Sequence, residues 1–573
     1  MAGAFSVTIH VFPFAKGVYI LAVNTRTMPP KETMNKLPTL RLATLAIAIA
    51  LSGFAHAQDA VPPEVQAAPA AVPIPAPSAP SAPAPGAVPA AKSAVPAPVL
   101  PAIENSVVKI FATIRRPEPY KPWTKAAPTT VTGSGVIIEG KRILTNAHVV
   151  GYASQVEVQA SQSGDKVAAR VIALARGIDL AVLELEDPSF FDKRPPVPRA
   201  PVLPDVRQQV FAYGYPVGGN SLSTTTGIVS RVEFVNYGAF SSGLRIQIDA
   251  PINPGNSGGP VVAGDRMVGL AFAGALNAQN IGYVIPNEEI ELFLRDVADG
   301  RYDGKPLLHD SVQTLENPAL RQFLKLDKSV EGAVVHRPYR VDDSWPLKEW
   351  DVITHIGEHP VDNQGMVKLG SNLRVRFQYR VQQVAKNGKV SMTIIRGGKQ
   401  MKVEVPATGA RPLLIPDLDG GYPSYFIYGP IVFSRATSEF MSFVAGSAPG
   451  MNAYAFNSSP LVTLRGDSPT LEREELVVIS APFFPHKLVS GYNNRFGSVI
   501  ESVNGQRVRS LRHLVELLRD LKDEQVVLRF DQRYGETMVL PRQATLDATE
   551  SILSDNGIRT QGSEDMMKVW ERK

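Results

Sequence analysis

The chain has 573 residues, and this length predicts several domains rather than one. Hydrophobic residues make up 44% of the chain, which is enough for packed cores, and the net charge of +5 is small for this length. There is no dense block of lysine and arginine and no interleaving of basic with aromatic residues, so nucleic acid is not an expected partner. The sequence contains no cysteine, which excludes disulfides, zinc fingers and thiol catalysis.

The first 57 residues have the features of a leader with a signal peptide. A basic start at Met34 precedes an apolar stretch at residues 42–51, which is too short to span a bilayer. Ala-His-Ala at residues 55–57 then provides a cleavage site for secretion of the bacterial type. We expect cleavage after Ala57, a true start at Met34 with residues 1–33 as an upstream misassignment, and a periplasmic protein without stable membrane insertion. An uncleaved membrane anchor is the alternative.

A linker follows at residues 58–101, which consist almost entirely of alanine, proline, valine and serine. Such a stretch cannot bury enough apolar surface to order itself, and its prolines favour extended backbone. We therefore interpret it as a semi-rigid spacer.

The most informative motif is Pro-Ile-Asn-Pro-Gly-Asn-Ser-Gly-Gly-Pro at residues 251–260. Ser257 lies among three glycines, which permit tight turns because they lack a Cβ. A serine becomes a nucleophile when its backbone aims free N–H groups at a developing negative charge. The motif therefore favours an acyl-transfer enzyme, although Asn-Ser-Gly-Gly-Pro is also an ordinary surface turn.

A serine nucleophile needs a base, and His148 is the single histidine between residues 101 and 300. It follows a strand predicted at residues 142–145, the second strand of a hairpin whose turn is Gly-Lys at 140–141. Upstream, Gly-Ser-Gly at 133–135 predicts a turn before the first strand. His148 thus lies just past a strand end, where loops carry chemistry. A lone loop histidine is the alternative.

Asp179 is the candidate for the carboxylate that orients His148. It begins an apolar run that is typical of a buried strand, and a buried aspartate needs a hydrogen-bond donor, which His148 can supply. An ordinary turn residue at the start of a strand is the alternative. Asp165 is less suitable, because Ser-Gly-Asp-Lys around it predicts a solvated turn.

Four motifs, in chain order, carry a family resemblance. They are Thr-Gly-Ser-Gly-Val at 132–136, Leu-Thr-Asn-Ala-His-Val-Val at 144–150, Asp-Leu-Ala-Val-Leu at 179–183 and Gly-Asn-Ser-Gly-Gly-Pro at 255–260. Together they resemble the HtrA/Deg (Do-like) serine proteases, and residues 280–286 extend the resemblance. The order His, Asp, Ser is that of the chymotrypsin class.

This resemblance implies a chymotrypsin-like double β-barrel at residues 102–300. It implies a catalytic triad and an oxyanion hole formed by two backbone N–H groups, with no cofactor and no metal. The triad is His148, Asp179 and Ser257, and the N–H groups belong to Gly255 and Ser257. It further suggests an apolar P1 pocket and a strand that pairs with the substrate backbone. The pocket walls would be Ile252 and Tyr283, and the strand residues would be Ala271, Phe272 and Ala273.

Residues 305–406 resemble the PDZ module that follows the protease in Do-like proteins. Predicted strands at 389–396 and 400–405 form a hairpin around Gly-Gly at 397–398. PDZ domains bind peptides by strand addition. Where a glycine-rich carboxylate-binding loop is usual, this chain has Pro-Leu-Leu-His-Asp-Ser at 306–311, so gating of the active site or packing between subunits are alternatives to peptide capture.

The same region contains His355 and His359, whose i, i+4 spacing suits a metal site on a helix. They lie on a predicted strand and turn, where the side chains do not converge as on a helix. We therefore expect no metal there.

Residues 411–553 resemble the extended second PDZ of a plant-type Deg subgroup, which also occurs in bacteria and is associated with assembly more than with cargo. Asn-Gly at 504–505 predicts a hairpin turn, and Ser510 predicts the cap of a helix that runs to Leu521. Residues 554–573 are expected to be a polar, frayed tail.

The predicted fold is therefore mainly β, with a double-barrel protease domain and two PDZ-like α+β domains. The predicted function is that of a serine endopeptidase that degrades misfolded or unstructured envelope proteins, in protein quality control. Its expected partners are unfolded protein or peptide substrates and further copies of the chain, in a homo-oligomer built from trimers as in the family. A catalytically resting chaperone or scaffold, and a regulatory protease with one dedicated target, are the alternatives.

Overall fold

The computed structural model describes residues 103–236, 241–274, 281–370, 373–409, 411–446 and 450–572, together with two strands near the N-terminus. The chain divides into two units, Met1–Ser93 and Ala94–Lys573. In the first unit, β1 (Thr8–Phe14) and β2 (Val18–Asn24) form an antiparallel hairpin. The predicted signal peptide and the linker at 58–101 lie outside the described residues. All that follows concerns the second unit.

The first six strands of this unit close into a barrel, with the short helix α1 (Ala147–Val150) between the third and fourth. The strands are β3 (Val107–Ile114), β4 (Thr129–Ile138), β5 (Arg142–Thr145), β6 (Ala153–Ala160), β7 (Lys166–Ala175) and β8 (Leu180–Leu185). They close in the order β3-β4-β5-β8-β7-β6 with antiparallel neighbours. Alternate residues of β3, namely Val108, Ile110 and Ala112, are fully buried, as the two-residue period of a strand requires.

The Gly-Ser-Gly segment at 133–135 lies inside β4, so its assignment to a turn is wrong. Glycine is needed there for close packing rather than for turning. A Cβ at Gly133 would lie 2.7 Å from a methyl group of Val149, and a Cβ at Gly135 would lie 2.8 Å from Ile143. The neighbouring prediction, a hairpin between β4 and β5, is confirmed.

The second barrel also has six strands. They are β9 (Gln209–Gly214), β10 (Ser223–Asn236), β11 (Ser242–Ile248), β12 (Pro260–Ala263), β13 (Arg266–Gly274) and β14 (Gly282–Pro286). They close in the order β10-β11-β14-β13-β12-β9, and α2 (Asn287–Asp296) follows. One apolar cluster joins the two barrels, with Leu144 and Val182 from the first and Leu270 and Ile285 from the second. Of the residues proposed for catalysis, His148 lies on α1, Asp179 directly precedes β8, and Ser257 lies between β11 and β12.

The region at 305–406 forms a sheet with two helices, α3 (Pro318–Phe323) and α4 (Gln378–Val384). Its strands are β15 (Ser311–Thr314), β16 (Ala333–Arg337), β17 (Val352–Ile356), β18 (His359–Pro360), β19 (Met366–Leu369), β20 (Leu373–Arg376), β21 (Lys389–Arg396) and β22 (Lys399–Pro406). The order is β15-β16-β17-β21-β22, with β18 on β17 and a separate pair β19-β20. The predicted hairpin β21-β22 is confirmed. Gly397 and Gly398 have φ of +55° and +78°, as a type I′ turn requires.

The C-terminal region contains two sheets. Their strands are β23 (Tyr425–Tyr428), β24 (Ile431–Arg435), β25 (Val477–Ile479), β26 (Ile500–Val503), β27 (Gln506–Arg507), β28 (Gln525–Phe530) and β29 (Met538–Pro541). The first sheet has the order β23-β24-β25, and the second has the order β27-β26-β28-β29. The helices are α5 (Ser438–Gly446), α6 (Gly450–Phe456), α7 (Pro460–Thr463), α8 (Leu511–Asp520), α9 (Arg542–Asp555) and α10 (Glu564–Trp570). Ser510 caps α8 by accepting the N–H of His513, and the predicted Asn-Gly turn joins β26 to β27.

Residues 554–572 pack against the C-terminal domain, so the expectation of a frayed tail is wrong for this described segment. The carbonyl of Gln561 accepts the N–H of Ile427 at 2.8 Å, and Ser563 donates its N–H to the carbonyl of Tyr425 at 3.0 Å, which extends the edge of β23. Met566 and Val569 of α10 are buried in the domain core. The segment is held because these two apolar residues, three apart on one helix face, have a core to pack against.

Candidate active site

The structure brings His148 and Asp179 into direct contact. His148 lies on α1, directly after β5, and Asp179 ends the turn that leads from β7 to β8. One carboxylate oxygen of Asp179 accepts the backbone N–H of His148 at 2.9 Å, and the other lies 2.8 Å from the imidazole Nδ1. Asn146 donates its side-chain amide to the carbonyl of Asp179 at 2.9 Å and so ties the two loops together.

This pairing determines the role of each imidazole nitrogen. When Nδ1 donates to the carboxylate, the proton of neutral histidine resides on Nδ1, and Nε2 carries a free lone pair. The side chain of His148 is 48% exposed and that of Asp179 is 20% exposed, so the imidazole is accessible while the acid lies deeper. His148 can therefore act as a base towards a group in the cleft.

Ser257 lies in the loop between β11 and β12, on the second barrel. Its hydroxyl donates to the carbonyl of Phe272 at 3.1 Å. Across the described part of the chain, no hydrogen bond connects this hydroxyl to His148. A serine side chain turns about a single bond between staggered rotamers, so the hydrogen bond to Phe272 is one of several orientations open to this hydroxyl.

The backbone before Ser257 is arranged to present N–H groups. The carbonyl of Pro254 accepts the N–H of Val217 at 2.8 Å, and because a trans peptide is planar, the N–H of Gly255 points the opposite way. Gly255 has φ of +99°, and a Cβ there would lie 2.4 Å from the carbonyl oxygen of Tyr215. Among the residues that the structure describes, neither the N–H of Gly255 nor that of Ser257 has an acceptor.

Two domain families match the chain. Residues 133–270 match the trypsin-like peptidase domain, and residues 417–565 match the PDZ domain. The chain is 35% identical over 472 residues to Protease Do-like 2, chloroplastic, of Arabidopsis thaliana, which covers 81% of this chain and 76% of that protein. It is 32% identical over 452 residues to Protease Do-like 4, mitochondrial, of the same plant, which covers 78% and 83%. The chain belongs to the Do-like protease family.

As a member of this family with a trypsin-like peptidase domain, the chain is a serine endopeptidase. The predicted fold class, a mainly β protein with two barrels followed by PDZ-like domains, is confirmed. Among solved structures, the HtrA-type protease AlgW with tripeptide is 25% identical, with a TM-score of 0.42, and the match covers 54% of this chain and 95% of that one. Within the described ranges, no helix combines the length and the apolar character needed to cross a bilayer.

In this Do-like protease, one important residue escaped the sequence analysis. Ser134 of β4 is fully buried, and its hydroxyl donates to the carbonyl of Gly255 at 2.7 Å and accepts the N–H of Tyr215 at 2.8 Å. Its own N–H donates to the carbonyl of Ser257 at 2.9 Å. Ser134 therefore fastens the Ser257 loop of the second barrel to the first barrel. Its place inside the motif at 132–136 is the available signal, but Gly-Ser-Gly by composition predicts a turn and not a buried strand.

The predicted substrate pocket is brought together in part. Ile252 is buried and packs against Gly282, where a Cβ would lie 2.8 Å from its side chain. The rings of Phe272 and Tyr283 lie 6.3 Å apart and half-buried beside it. Phe272 also contacts Ser257, since its carbonyl accepts the serine hydroxyl at 3.1 Å, and a P1 pocket formed by Ile252 and Tyr283 stays a prediction.

The strand expected to pair with substrate divides into two parts. Ala271 is fully buried, its N–H donates to the carbonyl of Gly259, and its carbonyl accepts the N–H of Gly258, so its backbone groups are taken by the Ser257 loop and are not free for a substrate. The carbonyl of Phe272 is the one that points towards Ser257. Ala273 pairs with Tyr283 on the neighbouring strand β14.

His355 and His359 lie on the paired strands β17 and β18 and not on a helix, as predicted. Of the residues described, no group of three or more histidine, cysteine, aspartate or glutamate side chains is arranged to hold a metal ion. The unusual loop before β15 has a structural role, because buried Asp310 accepts the indole N–H of Trp345 at 2.7 Å and the N–H of Tyr339 at 2.8 Å.

Proposed function

We propose that this Do-like protease cleaves misfolded or unstructured proteins through a triad of Ser257, His148 and Asp179. The observation that carries the proposal is the contact of His148 with both oxygens of Asp179, which leaves Nε2 of the imidazole free to act as a base. A chain without fixed structure is the expected substrate, because an open cleft binds extended backbone most easily.

In the proposed reaction, the Ser257 hydroxyl attacks the peptide carbonyl while Nε2 of His148 takes its proton. Asp179 holds the imidazole and stabilises its charged form. His148 then protonates the leaving amine, which departs, and a water molecule deprotonated by His148 releases the acyl group. Each step moves one proton through a single base.

The negative charge on the tetrahedral intermediate is assigned to the N–H groups of Gly255 and Ser257. Both lack an acceptor in the described residues, so they are available to an oxyanion. Removal of one such donor in serine proteases typically costs about 3–4 kcal/mol of transition-state stabilisation. The fixed backbone around them, with Ser134 bonded to Gly255, supplies this stabilisation without reorganisation.

The hydrogen bond from Ser257 to Phe272 suggests how substrate prepares the nucleophile. An extended substrate beside β13 would donate a backbone N–H to the carbonyl of Phe272, which at present accepts the serine hydroxyl. Competition for this acceptor would turn the hydroxyl towards His148. The resting arrangement is the specific observation that favours the alternative of a catalytically resting chaperone or scaffold.

We also infer export to the periplasm and assembly into homo-oligomers built from trimers. Export is supported by the apolar stretch at 42–51 and the Ala-His-Ala site after it, although Protease Do-like 2 and Protease Do-like 4 are named as chloroplastic and mitochondrial proteins. For the mature chain we propose a linker at 58–101, a protease domain at 102–300, and PDZ-like domains at 305–406 and 411–572, the last now including α10.

The test is degradation of an unfolded protein such as carboxymethylated casein. Wild type is expected to degrade it, and Ser257→Ala is expected to lose activity by several orders of magnitude because the nucleophile is gone. Ser551→Ala, which removes an exposed hydroxyl on α9, is the matched control and should behave as wild type. Binding without cleavage would favour the scaffold, and cleavage of one protein but no unfolded chain would favour the regulatory protease.

A further inference from the structure

Both loops that carry the His148–Asp179 pair contact the second PDZ-like domain at one side chain, Glu439 of α5. The carboxylate of Glu439 accepts the phenolic O–H of Tyr152 at 3.3 Å and lies 3.6 Å from the guanidinium of Arg176. Tyr152 and Arg176 belong to the first barrel, and Glu439 is 287 positions away from Tyr152.

The two barrel residues are close to the catalytic pair along the chain. Tyr152 comes four residues after His148, just beyond the end of α1. Arg176 comes three residues before Asp179, and its backbone carbonyl accepts the N–H of Asp179 at 3.2 Å, which closes the turn on which the acid lies. A displacement of either residue therefore moves a member of the pair.

The backbone on both sides of the pair is strained. Tyr152 has φ of +63° and Asp179 has φ of +61°, in the left-handed region that costs a residue with a Cβ about 1–2 kcal/mol. Such conformations persist only where the surroundings hold them. The guanidinium of Arg176 lies 3.9 Å from the ring of Tyr152, so the two loops also hold each other.

Glu439 is itself fixed by its own domain. The N–H of Leu418 donates to both of its carboxylate oxygens, at 3.2 and 3.1 Å. The side chains of Arg176 and Glu439 are 24% and 28% exposed, so most of the pair is shielded from water, where an ion pair is stronger than at a fully exposed site. Burial and Glu439 together raise the pKa of Tyr152 to about 12, which keeps its hydroxyl protonated and able to donate at any pH of activity.

We propose that Glu439 is a positioning residue for catalysis, which holds the His148 and Asp179 loops in the geometry that proton transfer requires. The second PDZ-like domain is then part of the catalytic apparatus of the chain and not only a module for assembly. This inference rests on the proposed triad. Glu439 itself touches neither substrate nor reacting atoms.

We expect the removal of Glu439 to lower kcat and to leave KM unchanged. Glu439 lies on the side of the two loops that faces the second PDZ-like domain and contacts none of the proposed pocket residues, so KM should stay the same. Proton transfer depends on distances within the triad, where a misplacement of about 1 Å can lower the rate by about 100-fold. We expect Glu439→Ala to reduce kcat by about 10-fold or more, and Tyr152→Phe, which loses one of the two contacts, to reduce it less.

The experiment is a double-mutant cycle in the full-length chain, with Glu439→Ala, Arg176→Ala and the double variant. Peptide hydrolysis gives kcat and KM, and the rate of fluorophosphonate reaction at Ser257 gives the reactivity of the nucleophile. If the two residues act as one unit, the double variant should be no slower than the slower single variant. Glu439→Gln keeps the acceptor for Tyr152 but not the charge, and it should recover part of the lost kcat.

Asp531→Ala is the matched control. It breaks an ion pair with Arg473 at 2.8 Å inside the same domain, at comparable exposure and away from the first barrel. It should leave kcat unchanged while lowering the melting temperature about as much as Glu439→Ala does. Should Glu439→Ala fail to fold, Glu439→Gln carries the same comparison.

The inference is overturned if Glu439→Ala has the kcat of wild type while Ser257→Ala is inactive. It is also overturned if the Glu439 and Arg176 losses multiply, or if only KM changes. A wild type no more active than Ser257→Ala would instead reject the proposed triad, and the inference with it.

Discussion

The two halves of the catalytic region are joined to the rest of the chain in different ways. The second barrel, which carries Ser257, shares a continuous apolar core with the first PDZ-like domain, in which Leu244 and Ile246 of the barrel and Val381 and Ile394 of the PDZ-like sheet belong to one cluster. The first barrel, which carries His148 and Asp179, meets the second PDZ-like domain through oriented polar and aromatic contacts.

The aromatic contacts between the first barrel and the second PDZ-like domain come from the segment between β3 and β4. The ring of Trp123 lies 5.8 Å from that of Phe484 and 6.1 Å from that of Tyr425, and the ring of Tyr120 lies 4.6 Å from that of Phe443. Burial is non-directional and contributes stability, whereas hydrogen bonds and ring contacts fix orientation. We therefore expect substitutions between the second barrel and the first PDZ-like domain to lower the free energy of unfolding. Substitutions between the first barrel and the second PDZ-like domain should instead lower kcat.

The largest effect is expected on the first-barrel side, for Asp179→Asn. The carboxylate of Asp179 accepts one hydrogen bond from Nδ1 and one from the backbone N–H of His148. An asparagine has only one acceptor oxygen, and its NH2 group would donate to Nδ1, so the proton of the neutral imidazole would move to Nε2. In serine proteases this change lowers kcat by about 10⁴-fold. The measurement is kcat for peptide hydrolysis, with Asp165→Asn in an exposed turn as the control. A variant within 10-fold of wild type would remove Asp179 from the triad, by the same standard.

The second prediction concerns stability on the second-barrel side, at the buried pair of Lys305 and Glu289. The two side chains are 5% and 1% exposed, with Nζ 2.6 Å from the carboxylate. Lys305→Ala would leave Glu289 charged and buried without this cation, and such losses destabilise proteins by about 3–5 kcal/mol. Urea unfolding measures the free energy, and kcat of the folded variant should remain close to that of wild type.

The exposed pair of Lys141 and Asp192 provides the control for this experiment. Its side chains are 58% and 64% exposed, and surface pairs of this kind contribute about 0–1 kcal/mol. Lys141→Ala should therefore change the free energy of unfolding by less than Lys305→Ala. Equal changes in the free energy of unfolding for the two variants would show that the Lys305–Glu289 pair does not stabilise the contact between the second barrel and the first PDZ-like domain.

The smallest effect is a pH dependence at Glu288, the neighbour of this pair on α2. Burial raises the pKa of the Glu288 carboxyl from its ordinary value of 4.5 to about 7. The folded chain then binds this proton more tightly than the unfolded chain, so this contribution to stability is fully present below pH 4.5 and is lost as the pH rises to about 7. Glu288→Gln does not titrate, and at pH 8 it should be more stable than wild type by about 1–3 kcal/mol.

The measurement for Glu288 is the free energy of unfolding of both proteins at pH 4 and pH 8. The gain from Glu288→Gln should be present at pH 8 and absent at pH 4. Glu186→Gln, at an exposed position, should show no such difference between the two pH values. A constant gain at both pH values would mean that the amide packs better and that titration of Glu288 plays no part.

Much of the active site was predictable, because its residues lie in short motifs with a chemical meaning. The order of His148, Asp179 and Ser257 and the glycines around the serine favour a chymotrypsin-like nucleophile loop, and the structure brings His148 and Asp179 into contact. Which acceptor the serine hydroxyl takes was not predictable, because rotamers leave no trace in a sequence. The same holds for Ala271, whose backbone groups are taken by Gly258 and Gly259 in the fold.

The joints between domains were harder to predict, for a different reason. Glu439 has no local pattern that distinguishes it from any other helical glutamate, and its partners are remote in sequence. The tail at 554–573 was expected to fray because its composition is polar, yet Met566 and Val569 are enough to anchor it once a core exists nearby. The periodicity of apolar residues predicts helices and strands. The contacts between them depend on which surfaces meet in the folded chain, which no local pattern shows.

The central claim is that His148 activates Ser257, and reaction with a fluorophosphonate tests it most directly. The account predicts that the reagent modifies Ser257 in the wild type, as located by mass spectrometry, and that the rate falls by at least 100-fold in His148→Ala, as expected for loss of a general base. Equal labelling of wild type and His148→Ala, or no labelling of Ser257 in a folded and soluble wild type, would contradict it.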